Sequence, residues 1–381
     1  MERIYLDHAA TTPMHPEVIE TVTAQMNDTF GNPSSIHSFG RSSRQAVDRA
    51  RTTAAASIGA DFNEIIFTSG GTEADNLAIV GTAQAMKHRG RHIITSAVEH
   101  HAVLHTCAYL EKEGYEVTYL PVNEEGLVRV ADLAAALRED TILVTIMYGN
   151  NEVGTIQPIA EIGELLQGHP AVFHTDAVQA YGAVAIDVKA DHIDLLSVSS
   201  HKINGPKGVG FLYAREGLLL TPGLFGGEQE RKRRAGTENV PAIAGFGKAI
   251  ELAMASMAEK SKRYSSFKER LMHLLTEKQV AFSVNGSLER SLPHVLNLSF
   301  PGTDVESLLV NLDLAGVAAS SGSACTAGSI EPSHVLVAMF GKESDRLRNS
   351  IRFSFGMTNT EEQIDQAGEA TANIIARLTN K

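Results

Sequence analysis

The stretch Glu64-Ile-Ile-Phe-Thr-Ser-Gly-Gly-Thr-Glu-Ala-Asp-Asn76 runs from β-branched and aromatic residues, through a pair of glycines, into residues that favour a helix. Residues 64–68 read as a strand, Gly70-Gly71-Thr72 as a turn and residues 73–89 as a helix. Residues 91–96 form the next strand and residues 101–113 the next helix. Further apolar runs at 116–120, 141–147, 172–175, 195–199 and 210–213 continue the series. Short apolar strands separated by helices are βαβ units, so the expected fold is α/β. A large domain holds a mostly parallel, seven-stranded sheet between helices.

Beyond Thr237 the pattern changes. Residues 241–278 are rich in Ala, Glu, Lys and Met and are interrupted at Gly245 and Gly247, so one or two helices are expected. Residues 295–300 and 350–355 alternate apolar and polar side chains, as half-covered strands do. Helices at 305–314 and 360–379 would cover one face. The expected division is a large domain over 13–255 and a smaller α/β domain built from 1–12 and 256–381.

With 381 residues the chain exceeds what one core usually spans. A net charge of −12 argues against general affinity for nucleic acid or an anionic membrane. The local run Arg231-Lys232-Arg233-Arg234 is either a solvated loop or a contact for an anionic ligand or partner. No run of 18 or more apolar residues occurs and the N-terminus lacks a signal-peptide core, so a cytoplasmic protein is expected. The two cysteines, Cys107 and Cys325, need form no disulfide there and have no zinc-ligand spacing. Cys107 lies among Leu104, Ala108 and Leu110 and reads as core packing. Cys325 lies among Ser320, Ser321, Gly322, Ser323 and Thr326, a setting that suits an exposed nucleophile. His101 and His105 are a possible metal pair on a helix, but the sequence suggests no third ligand, and no resident metal is expected.

Three constellations carry chemistry. The glycines and hydroxyls of residues 68–76 sit where a strand gives way to a helix, so free N–H groups and the helix dipole form an anion cup there; a capped glycine turn is the alternative. No Walker A or G-x-G-x-x-G pattern occurs, which argues against nucleoside triphosphates and dinucleotides. In Ser197-Val-Ser-Ser-His-Lys-Ile-Asn-Gly-Pro206, Lys202 follows an apolar strand among hydroxyls and a histidine. A partly desolvated lysine there has a lowered pKa and can form a Schiff base, or it is structural. Asp176 ends the strand at 172–175, at the sheet edge where ligands bind. It either partners a pyridine-type ring nitrogen or caps the next helix.

In this order the three signals resemble the fold-type I pyridoxal-phosphate enzymes. Together with Tyr5-Leu-Asp-His-Ala-Ala-Thr-Thr12, Gly31-Asn-Pro-Ser-Ser35 and Ser320-Ser-Gly-Ser-Ala-Cys-Thr326, they resemble the cysteine desulfurases of the class-V aminotransferase-like group, first of two groups, from Tyr5 to Gly356. The resemblance implies pyridoxal 5'-phosphate bound covalently to Lys202. Its phosphate would be held by Gly71, Thr72, Ser199 and His201, and by Thr237 of a neighbouring subunit, hence a homodimer. Asp176 would face the pyridine nitrogen and Gln179 the ring hydroxyl. Asn151 would also touch the cofactor, and His100 would stack on the ring and take part in proton transfer. Arg352, with Asn32, would clamp the substrate carboxylate. Sulfur from L-cysteine would pass to Cys325 as a persulfide and on to an acceptor protein, an iron–sulfur scaffold or a tRNA thiolase. Cys325 would at most ligate an iron–sulfur cluster transiently. A selenocysteine lyase and an ordinary aminotransferase of the same fold are the alternatives.

Overall fold

The structure, a computed structural model, describes residues 3–321 and 332–379, so Cys325 lies outside the described residues. Its strands are β1 (Ile4–Tyr5), β2 (Ile65–Thr68), β3 (His92–Ser96), β4 (Glu116–Leu120), β5 (Thr141–Thr145), β6 (Val172–Asp176), β7 (Leu195–Ser199), β8 (Gly210–Ala214), β9 (Ser283–Asn285), β10 (Val295–Ser299), β11 (Val317–Ala318) and β12 (Ser350–Ser354). Seven of them form one sheet in the order β2-β8-β7-β6-β5-β3-β4. The pairs from β7 to β4 are parallel, and β8 runs antiparallel to both its neighbours. Every strand except the edge strand β4 is buried along its whole length, which explains the near-continuous apolar runs in the sequence.

The smaller α/β domain has an antiparallel sheet, β12-β10-β9, with Leu296, Leu298, Ile351 and Phe353 in its core. Helices Val305–Leu314 and Glu361–Leu378 add Leu308, Leu312, Ile364 and Ile375 to the same core. The first residues join it: β1 pairs with β11, and Ile4 and Leu6 are buried in this second core, whereas Ala9 belongs to the core under the large sheet.

The region expected to hold one or two helices is a single helix, Val240–Glu277. Its glycines do not break it, because they are contact points. A Cβ on Gly245 would lie 2.4 Å from Val22 Cγ2, and one on Gly247 2.9 Å from Ala50 Cβ. Helices Pro16–Asp28 and Ser38–Ala56 therefore pack against the long helix at near-backbone distance. The long helix is long and apolar enough to cross a membrane, but half of its most apolar stretch is buried inside the fold, as in a core helix.

The basic run is only partly solvated. Arg234 pairs with Glu73 at 2.7 Å and Arg233 donates to the carbonyl of Asn63, while Arg231 and Lys232 are exposed. Glu230, Arg231 and Lys232 all have left-handed φ values, of 46°, 57° and 67°. Glu230 anchors this turn by a buried bidentate pair with Arg51, at 2.6 and 2.7 Å.

Candidate active site

The carboxyl ends of β5, β6 and β7 open onto a cavity of about 330 Å³, within the usual range for small-molecule sites. Ten of the residues singled out from the sequence line it: Gly71, Thr72, His100, Asn151, Asp176, Gln179, Ser199, His201, Lys202 and Arg352. Asn32 and Thr237 do not; both are exposed, and Asn32 Oδ1 accepts from the N–H of Ser34 in its own turn.

The anion cup forms as the spacing suggests. Gly70 caps helix Gly71–Met86 with φ +151°, a conformation that side chains avoid. The first N–H groups of the helix have no carbonyl below them to bond. A Cβ on Gly71 would lie 2.7 Å from Val178 Cγ2, so the helix start can press against the turn after β6 only as glycine. Ser199, 4% exposed at the end of β7, lies beside Gly70 and Gly71.

Lys202 occupies the short turn Ser200–Lys202 after β7. Gly205 closes the turn, where a Cβ would meet Ser200 Oγ at 2.0 Å. Lys202 Nζ donates to the carbonyls of Ala10, at 2.9 Å, and Ala9. Burial, reinforced by the charge of Arg352, pulls its pKa down to about 8. Beside it, burial pushes the His201 pKa down to about 4, and His201 Nδ1 lies 3.1 Å from Thr11 Oγ1.

Asp176 ends β6, 5% exposed, and its Oδ1 accepts from the N–H of Val178 at 2.8 Å. Burial raises its pKa, opposed by His100 and Lys202. Gln179 is fixed by donating to Ala9 O at 2.8 Å. His100 caps the helix His101–Lys112, its Nδ1 accepting from the N–H of Ala102 at 3.1 Å, which leaves the proton of the neutral ring on Nε2. Burial lowers its pKa. Asn151 is presented by a turn built on Asn150, whose Oδ1 accepts from Glu152 and Val153 N–H groups.

Arg352, 4% exposed on β12, reaches across from the smaller sheet. Its Nη2 pairs with Asp7 Oδ1 at 2.8 Å, its Nη1 donates to Asn151 O at 2.8 Å, and its Nε is buried without a partner among the described residues. A guanidinium held on two sides, with N–H groups to spare among the described residues, suits capture of a carboxylate.

Sequence reading missed several groups. Asp75 lines the cavity at 1% exposure, its Oδ1 without a hydrogen-bond partner among the described residues and 3.6 Å from His174 Nε2. Burial, with Asp176 and Glu99 nearby, raises its pKa well above the carboxylate range. Its spacing of four from Gly71 places it on the cup face of the helix, a signal that could have found it. Glu99, fully buried behind His100, accepts from Ser96 Oγ at 2.5 Å and Met147 N at 3.0 Å, and burial pushes its pKa up to about 8. The expected core role of Cys107 holds: it is fully buried, and burial pushes its thiol up to about 12. His334 supplies the third imidazole that the sequence did not suggest, its ring 4.7 Å from that of His101, but among the described residues no three side chains form a metal-holding group.

The cavity suits pyridoxal phosphate. It offers a glycine-lined helix start for a phosphate, a buried carboxylate for a ring nitrogen and an amine of lowered pKa. The family model for class-V aminotransferases matches residues 4–367. The chain is 65% identical, over 100% of both chains, to the putative cysteine desulfurase IscS 1 of Bacillus subtilis (strain 168). Among solved structures it resembles a NifS-like protein, with a TM-score of 0.92 and 35% identity over 98% of this chain and 100% of that one. It also resembles a structure described as SspA in complex with cysteine, with a TM-score of 0.81 and 36% identity over 92% of this chain and 98% of that one.

Proposed function

We infer that this chain, which belongs to the class-V aminotransferase family, is a pyridoxal-phosphate-dependent cysteine desulfurase that yields alanine and an enzyme-bound persulfide. The observation that carries this reading is the convergence of Lys202, Asp176, the Gly71 helix start and Arg352 on one cavity, in a chain that also carries Cys325. Bound there, the cofactor supplies a sink for electrons released at the substrate α-carbon.

The N–H groups of Gly71 and Thr72, with Ser199 and His201, bind the phosphate, joined by Thr237 of the partner in a homodimer. Asp176 would hold a proton at the ring nitrogen of the bound cofactor, Gln179 would partner its ring hydroxyl, and Asn151 and His100 would also hold the ring, His100 taking part in proton transfer. Arg352 orients the carboxylate of L-cysteine. Lys202 Nζ, with a pKa near 8, is neutral in part of the population at neutral pH and takes the α-proton. The Cys325 thiolate attacks the substrate sulfur. The new S–S bond forms as the C–S bond breaks, and its electron pair stays with carbon, which is then protonated to give alanine. The persulfide passes to an acceptor protein, an iron–sulfur scaffold or a tRNA thiolase, in the cytoplasm.

Cys325→Ser should keep the visible cofactor absorbance and form no persulfide when cysteine is added. If that variant releases sulfide at the wild-type rate, the role of Cys325 is wrong. If the purified wild-type protein lacks the absorbance and does not gain it on adding pyridoxal phosphate, the whole reading is wrong.

A further inference from the structure

A second, smaller cavity of about 50 Å³ shares Lys202 and Gln179 with the first. Its walls include His8, Lys260, Tyr264 and His294, and among the described residues no carboxylate lines it.

His8 is 2% exposed, and neither of its ring nitrogens has a hydrogen-bond partner among the described residues. Buried polar groups rarely stay unsatisfied without a bound water or ion. The ring has a built seat: a Cβ on Gly356 would lie 2.1 Å from His8 Nδ1, so only glycine leaves room for it. Lys260 and Tyr264 are one turn apart on the long helix and face the same space. Lys260 is half-buried, and burial alone acts on its ammonium group, with no acid to offset it.

The surroundings are basic too. His294 Nε2 is 3.2 Å from Gln179 Oε1, and Lys268, His8, Lys202 and Arg352 all press on it electrostatically. Lys268 is buried and held by Ser291 Oγ at 2.6 Å and Leu292 O at 3.1 Å, both neutral. Lys260 and Lys268, unlike Arg352 with its Asp7, have no carboxylate partner among the described residues, and cations buried in that way call for a counter-charge.

We propose that this cavity binds one small monovalent anion of halide size, held between Lys260 Nζ and His8. The volume is ample for a monatomic anion. Lys202 walls both cavities, so the anion's charge acts on the amine that the reaction uses.

Holoenzyme crystals grown without chloride and soaked in sodium bromide should show an anomalous peak between His8 and Lys260. In solution, chloride should raise the melting temperature of the holoenzyme saturably, by about 2 °C over gluconate at equal ionic strength. Lys260→Met and His8→Phe should each abolish that difference, whatever their own baseline stability. Ordered water in place of bromide, or a chloride effect that persists in both variants, would overturn the proposal.

Discussion

Single residues set the proton chemistry of this fold. The Lys202 pKa of about 8 lies below the ordinary lysine value of about 10.4. Between those values the unfolded chain binds more protons than the folded apoprotein, so the Lys202 contribution to stability rises with pH across that window. Lys202→Met should flatten that rise in apoprotein melting curves and abolish the visible cofactor band. Glu99 has the opposite sign. Its pKa is raised to about 8, so its folded form binds the extra proton, and stability is lost as pH climbs from about 4.3 to 8. Glu99→Gln keeps an oxygen for Ser96 and Met147 and should be more stable than wild type at pH 8, by at most about 5 kcal/mol, with little difference at pH 4. Denaturant titration at the two pH values checks it. Lys202 and Asp176 were legible because each directly follows an apolar strand. Asp75 carried one local mark, its spacing of four from Gly71, and Glu99 carried none, since nothing local marks a carboxylate that the fold later deprives of water.

Elements were legible where the apolar pattern was strong. All seven strands of the large sheet and the helices at Gly71–Met86, His101–Lys112 and Val305–Leu314 fall within a few residues of their expected places. Helices Pro16–Asp28 and Ser38–Ala56 were not read; Ser38–Ala56 is rich in Ser, Arg and Thr and shows little apolar character until it meets the long helix. That meeting depends on Gly247, whose added Cβ would lie 3.0 Å from Ala50 Cα. Gly247→Leu should cost about 1–3 kcal/mol by overpacking, despite the better helix propensity of leucine. Gly71→Ala strikes the turn after β6 and should weaken pyridoxal-phosphate binding about tenfold or more, read by absorbance titration of apoprotein, while leaving the distant smaller core intact. The run of positive φ at Glu230, Arg231 and Lys232 had no glycine to announce it. Lys232→Gly should raise stability by about 1 kcal/mol or less by relieving that conformation.

For the molecule as a whole, residues 4–12 join the two cores. Leu6 is buried against β12 and β11, Asp7 pairs with Arg352, and the carbonyls of Ala9 and Ala10 receive Lys202 Nζ. Asp7→Asn should therefore loosen Arg352 and raise KM for cysteine roughly five- to tenfold with a smaller effect on kcat, since an ion pair worth about 1.4 kcal/mol accounts for tenfold. The same segment has a consequence in time. Its partners, Ala318 and Ser354, are more than 300 residues away in sequence. At ordinary elongation rates of about 5–20 residues per second, the first residues made wait roughly 20 to 70 s for the strands that dock them. The seat of Lys202 therefore stays unfinished on the ribosome until nearly the whole chain has emerged. A chain truncated before Ser350 should therefore fail to bind pyridoxal phosphate, a loss that absorbance titration would read.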